Sequence, residues 1–288
     1  MIPTAFEYHA PSSVADAASL LAQHGAGAKI LAGGHSLIHL MKLRLAQPEV
    51  LIDLGKISDM SYIRDNNGGL AIGAMTTYND IEHSDLVISL AQALAEASGM
   101  VADRQVRNRG TIGGSLAHAD PAGDLPAVII ALGAQMVTSS TGEHRTISAD
   151  DFFVDLLTTD LRPTEILNEI LVPGLPARTG TAYAKFGNKA SHFAIVGVAA
   201  VVTVGSNGTC QSVKIGVTGA GPKAVRAVSA EEALTGSSLN DSAISAAAGH
   251  AGDGIDFNED IHASADYRAH LTAVYAARAI RAAASRAS

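Results

Sequence analysis

The sequence predicts an α+β protein: a small parallel βαβ unit and an antiparallel sheet with helices, then a C-terminal domain of antiparallel strands and a helical bundle. Three observations point there. In the opening third, apolar runs broken by glycine alternate with apolar residues at helical spacing. Two turn-forming stretches, Asp65-Asn66-Asn67-Gly68-Gly69 and Ser206-Asn207-Gly208, each stand between β-rich runs, as in hairpins. The chain closes in helical periodicity, with Leu271, Val274, Tyr275 and Ile280 near one face. Pro173, Gly174 and Pro176 mark a boundary between a first domain over 1–176, with subdomains of about 1–56 and 57–176, and a second over 177–288.

Taken in order, Ser13 and Asp16 have the spacing of an approximate capping box, for a helix through Leu20 and Leu21 that Gly25 ends. Residues 29–32 read as a strand, Gly33 and Gly34 as a turn, and Ser36 stands before Leu37, Ile38, Leu40 and Met41 at helical spacing. A buried strand over 50–54 then completes a parallel βαβ unit. Residues 62–64 and 70–74 form a hairpin, 86–97 a single helix ended by Gly99, and 104–124 a long irregular loop of the kind that carries function. The apolar helix 125–132 and strands 135–139 and 166–172 precede the boundary. Beyond it, 183–186, 199–204 and 212–218 read as strands, and 230–234, 241–250 and 266–284 as helices.

The chain has 288 residues, 47% apolar and 17% charged, so it can bury a sizeable core without metal or disulfide staples. A net charge of −8 without a Lys/Arg cluster argues against a nucleic-acid partner, whose phosphates call for clustered cations. The lone Cys210 can neither close an internal disulfide nor hold an iron–sulfur cluster, so any such centre belongs to a partner. Residues 1–11 lack the regions of a secretory signal, and the longest apolar run, 193–204, falls short of the ~20 residues of a membrane helix. A cytoplasmic protein with no transmembrane segment is expected.

The strongest chemical feature is a matched pair of glycine loops, Ala32-Gly33-Gly34-His35-Ser36 and Thr111-Ile112-Gly113-Gly114-Ser115. Glycine lets the backbone approach a diphosphate, exposed N–H groups donate to its oxygens, and small hydroxyls complete the shell. The competing reading is two ordinary tight turns. Gly219-Ala220-Gly221-Pro222-Lys223-Ala224 matches G-x-G-x-x-A, but Pro222 lacks an N–H that such a loop would use, and a plain turn is expected. His35 and His39 could face one metal ion, yet a third ligand is missing nearby. Asp124 reads either as a cap for the helix opening at Leu125 or as an acceptor for a sugar hydroxyl. Neither a P-loop nor a G-x-S-x-G elbow occurs.

Three segments carry a family resemblance: 32–36, the run Gln105-Val106-Arg107-Asn108-Arg109-Gly110 leading into 111–115, and Ala119-Asp120-Pro121-Ala122-Gly123-Asp124-Leu125-Pro126-Ala127. They closely resemble the FAD-binding medium subunit of molybdenum hydroxylases, the family of carbon monoxide dehydrogenase, quinoline oxidoreductase and bacterial aldehyde or xanthine dehydrogenases. The resemblance runs from Met1 to the C-terminal helices. It implies FAD in this chain, molybdopterin cytosine dinucleotide in a large molybdenum subunit, and two 2Fe–2S clusters in a small iron–sulfur subunit, assembled as a dimer of heterotrimers. Substrate is oxidised on the large subunit, and electrons reach the flavin and leave to an external acceptor.

Carried over by position, Lys29, Ile30, Leu31, Ala32, Gly33, Gly34, His35 and Ser36 would line the FAD phosphates from one side, and Thr111, Ile112, Gly113, Gly114 and Ser115 from the other. Asp124 would accept from a sugar-chain hydroxyl, Leu167 would pack on the isoalloxazine, and Lys185 would approach its polar edge and tune its redox chemistry. Phe193 stands where carbon monoxide dehydrogenases typically have tyrosine beside the flavin, and Ser115 where many relatives have asparagine. No residue of this chain is expected to act as a catalytic acid or base. Gly33→Val or Gly114→Val is expected to prevent flavin binding while sparing most of the fold. The resemblance leaves the substrate open among carbon monoxide, an aldehyde and an N-heterocycle, and the acceptor among quinone, oxygen, a cytochrome and NAD. The alternatives are a stand-alone FAD-dependent oxidase, with flavin bonded covalently at His35, and a cofactor-free assembly scaffold.

Overall fold

The computed structural model describes residues 2–287. Its first layer is a three-stranded parallel sheet in which Val50–Asp53 lies between Glu7–His9 and Ala28–Leu31. The helix Val14–His24 has Ser13 as its cap, accepting from Asp16 N, and ends at Gly25 with φ +53. The expected parallel unit is therefore present, with Glu7–His9 added at the edge; its Glu7 and Tyr8 are too polar and exposed to announce a strand.

A five-stranded antiparallel sheet follows, in which Gly69–Gly73 and Gln135–Ser139 flank Ile166–Val172, and Ile63–Asn66 and His144–Ser148 form the edges. Asn67 and Gly68 turn the first hairpin with positive φ at both positions, as a type I′ turn requires. A four-stranded antiparallel sheet, Thr179–Gly187, Ala194–Val204, Cys210–Thr218 and Val225–Arg226, forms the C-terminal half. The helices Val228–Leu234, Asp241–Ala248 and Ala265–Arg286 share a core with it built from Val196, Val198, Leu234 and Ile280.

The wholly buried helix Leu125–Leu132 is where the halves meet. A Cβ at Gly216 would lie 2.0 Å from the Ala127 carbonyl oxygen, so the C-terminal sheet touches the helix backbone directly. One apolar cluster runs from Ile52 and Leu94 through Ile129 to Tyr183 and Val201.

Two expectations are corrected. The single helix over 86–97 is two, Asp85–Leu90 and Gln92–Gly99, broken at Ala91. The break frees first-turn N–H groups of the second helix, and Thr181 of the C-terminal sheet accepts from Ala93 N at 3.0 Å, a tertiary bond that local periodicity does not encode. The irregular loop over 104–124 holds two short helices, Arg104–Arg107 and Ile112–His118, capped by Asp103 and Thr111. Glycine hid the second one: Gly113 and Gly114 lie in its first turn, against the ordinary helix preference. Gly219–Ala224 is a turn, not a nucleotide loop, and Gly219 N donates to Pro121 O.

Candidate functional site

The second glycine motif is laid along the segment 74–78. Gly113 N donates to Ala74 O (2.9 Å), Ile112 N to Thr76 O (3.0 Å) and Tyr78 N to Gly110 O (3.0 Å). Contact here is close enough to demand glycine: a Cβ at Gly113 would sit 2.5 Å from Ala74 Cβ, and one at Gly110 2.4 Å from the Tyr78 ring. The first motif then rests on the second. A Cβ at Gly33 would lie 2.1 Å from the Arg109 carbonyl oxygen, and one at Gly114 3.6 Å from Ala32 Cβ. Gly34 has φ +76, in the left-handed region that glycine tolerates. The two loops are thus in contact with each other.

Their hydrogen-bonding states differ. In the second motif, Gly114 N donates to Thr111 Oγ1 (3.1 Å) and Ser115 N to Thr111 O (3.0 Å), so all four N–H groups from Ile112 to Ser115 have acceptors. The sequence reading, in which both loops offer N–H groups, is corrected there: helix formation consumes them, leaving the hydroxyls of Thr111 and Ser115. In the first motif, the N–H groups of Gly33, Gly34, His35 and Ser36 have no acceptor among the described residues. Consecutive free N–H groups on a glycine turn suit an anion such as a diphosphate.

Beside these loops lies a buried charge cluster. Asp124 Oδ2 accepts from Lys185 Nζ (2.8 Å) and Oδ1 from the Tyr183 hydroxyl (2.6 Å), while Lys185 Nζ also donates to Met100 O (3.0 Å). The Asp124 and Lys185 side chains are each only 5% exposed. Asp124 occupies the cap position of its helix but makes no cap bond; the ammonium and phenol have captured it. Burial pushes the Asp124 carboxyl up, against the charge and hydrogen bond of Lys185 and the bond from Tyr183. Burial, then Asp124, pushes the Tyr183 phenol well above its usual value. Tyr78 is pushed up to about 12, chiefly by burial, with the Asp124 charge raising it further.

The loop bearing Asp124 is fastened to the C-terminal sheet. Thr218 Oγ1 donates to Pro121 O (3.0 Å) and Gly123 O (2.7 Å), Gly219 N to Pro121 O (2.8 Å), and Ala194 N to Ala122 O (3.2 Å). Phe193, half-exposed, edges a cleft of about 360 Å³ with Pro121, Ala122 and Asn188. Leu167 is buried where Ile166–Val172 slips register, and its neighbour Asn168 O accepts from Ala74 N. Lys29, Ile30 and Leu31 form the strand entering the first loop. His35 and His39 are exposed, and among the described residues no three His, Cys, Asp or Glu side chains gather as a metal site.

Sequence reasoning missed Tyr183 and Tyr78. Tyr183 was within reach, because strand residues two apart share a face and Tyr183 precedes Lys185 by two. Tyr78 gave no local signal; only the pairing of 74–78 with 110–113 reveals it.

The described residues contain no helix long and apolar enough to cross a membrane. Two family models match: an FAD binding domain in molybdopterin dehydrogenase over residues 4–175, and a CO dehydrogenase flavoprotein C-terminal domain over 181–283. The carbon monoxide dehydrogenase medium chain of Hydrogenophaga pseudoflava is 42% identical over 283 residues, 98% of each chain. The structure of that organism's carbon monoxide dehydrogenase lacking the Mo-pyranopterin moiety superposes with a TM-score of 0.96 at 45% identity, covering 99% of each chain. Quinoline 2-oxidoreductase from Pseudomonas putida 86 superposes with a TM-score of 0.93 at 34% identity, covering 100% of this chain and 99% of that one. Matched along both halves in sequence and in fold, the chain belongs to the family of FAD-binding medium subunits of molybdenum hydroxylases, of which the carbon monoxide dehydrogenase flavoprotein is a member.

Proposed function

We propose that this chain is the electron-transferring flavoprotein subunit of a heterotrimeric molybdenum hydroxylase in the cytoplasm. It would join a large molybdopterin subunit and a small iron–sulfur subunit as a dimer of heterotrimers. When bound, FAD supplies the redox chemistry, taking electrons from the 2Fe–2S clusters of the small subunit and giving them to an external acceptor. Carbon monoxide, an aldehyde or an N-heterocycle is met by the large subunit; relatives named for carbon monoxide and quinoline share this fold.

The chain's own work is binding and electrostatics. The observation that carries this reading is the run of four free N–H groups at Gly33–Ser36, packed on the second glycine motif. Those groups would hold the diphosphate, with the Thr111 and Ser115 hydroxyls completing the shell. Asp124 would accept from the sugar chain, and Leu167 and Phe193 would supply apolar contact to the flavin ring. Lys185, buried and ion-paired with Asp124, would bring its ammonium to the ring's polar edge, where it would favour negative charge gained on reduction.

The test is purification of the tagged chain from its own cells, followed by acid precipitation. Two partner chains are expected to co-elute, and yellow flavin to stay in the acid supernatant. Flavin that pellets with the protein, or a lone chain that oxidises substrate itself, would overturn the reading in favour of a stand-alone oxidase.

A further inference from the structure

We propose that Tyr183 is a positioning residue: its buried hydroxyl fixes the Asp124 carboxylate in the orientation in which it holds Lys185 and accepts from the cofactor. The proposal rests on the reading of Asp124 as a cofactor contact.

Three features of the strands converge on this role. Tyr183 and Lys185 lie two apart on Thr179–Gly187, so both side chains project from one face and reach the two oxygens of one carboxylate, at 2.6 and 2.8 Å. On the neighbouring strand, Gly197 pairs with Lys185. A Cβ at Gly197 would lie 2.2 Å from the Tyr183 hydroxyl oxygen and 3.0 Å from Cζ, so the missing side chain is what gives the phenol its place. The Tyr183 backbone is pinned as well: its N–H donates to Glu96 Oε2 (3.0 Å), and the other oxygen of Glu96 pairs with Arg286 (2.6 Å). A phenol located this tightly holds its acceptor in one rotamer.

The ionisable groups facing Asp124 are Lys185 and Tyr183 from the strand and Tyr78 from the helix Tyr78–Glu82. Burial pushes the carboxyl up, and the bonds from Lys185 and Tyr183 oppose it. Loss of the phenol hydroxyl leaves burial less opposed, so the carboxyl takes up its proton at a higher pH. A protonated carboxyl is the weaker acceptor for a cofactor hydroxyl.

The experiment titrates FAD into the flavin-free full chain across a pH series and follows fluorescence quenching. FAD affinity falls as pH drops through the ionisation of Asp124. In Tyr183→Phe the midpoint of that fall is expected to rise by about one pH unit or more, a tenfold change in proton affinity, with affinity on the alkaline side little changed. Gly197→Ala, which keeps the phenol but displaces it, is expected to move the midpoint the same way, and to add nothing further in the Tyr183→Phe background. A wild-type midpoint in Tyr183→Phe, or in Gly197→Ala should the first variant not fold, overturns the proposal. Asp124→Asn separates the two levels. A flat profile there with an unmoved Tyr183→Phe midpoint sinks the positioning role alone, whereas a wild-type profile in Asp124→Asn sinks the assignment of Asp124 to the cofactor.

Discussion

Gly33→Ala tests how the two glycine motifs are joined. The added Cβ would stand 2.1 Å from the Arg109 carbonyl oxygen and 2.8 Å from both the Arg109 carbonyl carbon and Gly110 Cα, all of them backbone atoms. The 110–113 segment cannot retreat without breaking its bonds to Ala74, Thr76 and Tyr78. The first loop must therefore move outward by about 1 Å to reach even the 3.0 Å lower limit of real contacts. Overpacking of this kind costs about 1–3 kcal/mol. At roughly 2–4 °C per kcal/mol for a chain of this size, the melting temperature falls by about 2–12 °C. Gly114→Ala is milder: its Cβ meets only Thr111 Oγ1 at 2.8 Å and Ala32 Cβ at 3.6 Å, and the loss is a helix cap of about 1 kcal/mol. Thermal melts and FAD titration should rank Gly33→Ala as the worse variant in both stability and affinity, with FAD bound at least about tenfold more weakly, a loss near 1.4 kcal/mol. Wild-type melting and affinity in Gly33→Ala, or the reverse ranking, would refute the reasoning. The structure also replaces the sequence rationale for valine at Gly33, since protein backbone rather than a phosphate occupies the space a side chain needs.

Asp124→Ala leaves the Lys185 ammonium buried with Met100 O as its remaining partner; urea denaturation should show a loss of about 3–5 kcal/mol, most of it recovered by adding Lys185→Met. Arg268→Met removes a buried guanidinium that donates to Ile195 O and Gly219 O, both at 2.7 Å, and the same assay should show about 1–3 kcal/mol lost for each orphaned carbonyl. Burial pushes the Glu165 carboxyl up, but the Arg145 and Arg162 bonds and charges outweigh it and hold it below its ordinary range. Its contribution is thus present above the unfolded value and disappears as pH falls through the folded one. Melts from about pH 6 to 2 should accordingly fall less steeply in Glu165→Gln than in wild type, and parallel acid limbs would contradict the assignment.

What was legible in the sequence is what local chemistry controls. Ser13 and Gly25 bound their helix as their residue types suggest, and Asn67-Gly68 turns its hairpin because both positions need positive φ. The glycine motifs stood out for the right feature, close approach, but the sequence did not say what approaches. At Gly33 and Gly113 it is another stretch of this chain, and the donors left over are those of the first loop alone. The helix break at Ala91, the short helix carrying Gly113 and Gly114, and the turning of Asp124 from cap to ion pair all depend on partners far along the chain: Thr181, Ala74, Tyr183 and Lys185. Composition and spacing carry no record of such pairings.

The fastening of the 119–124 loop to the C-terminal sheet has a bearing on biogenesis. The ribosome delivers both glycine bends and the carboxylate well before it delivers the strand that supplies their cation and phenol. Until that strand docks, the nascent amino-terminal half carries the acid group without the ammonium and phenol that hold it in the closed structure. On the proposed role of Asp124 as a cofactor contact, a fragment stopping short of the second half is expected to bind FAD more weakly than the full chain, however well its own sheets form.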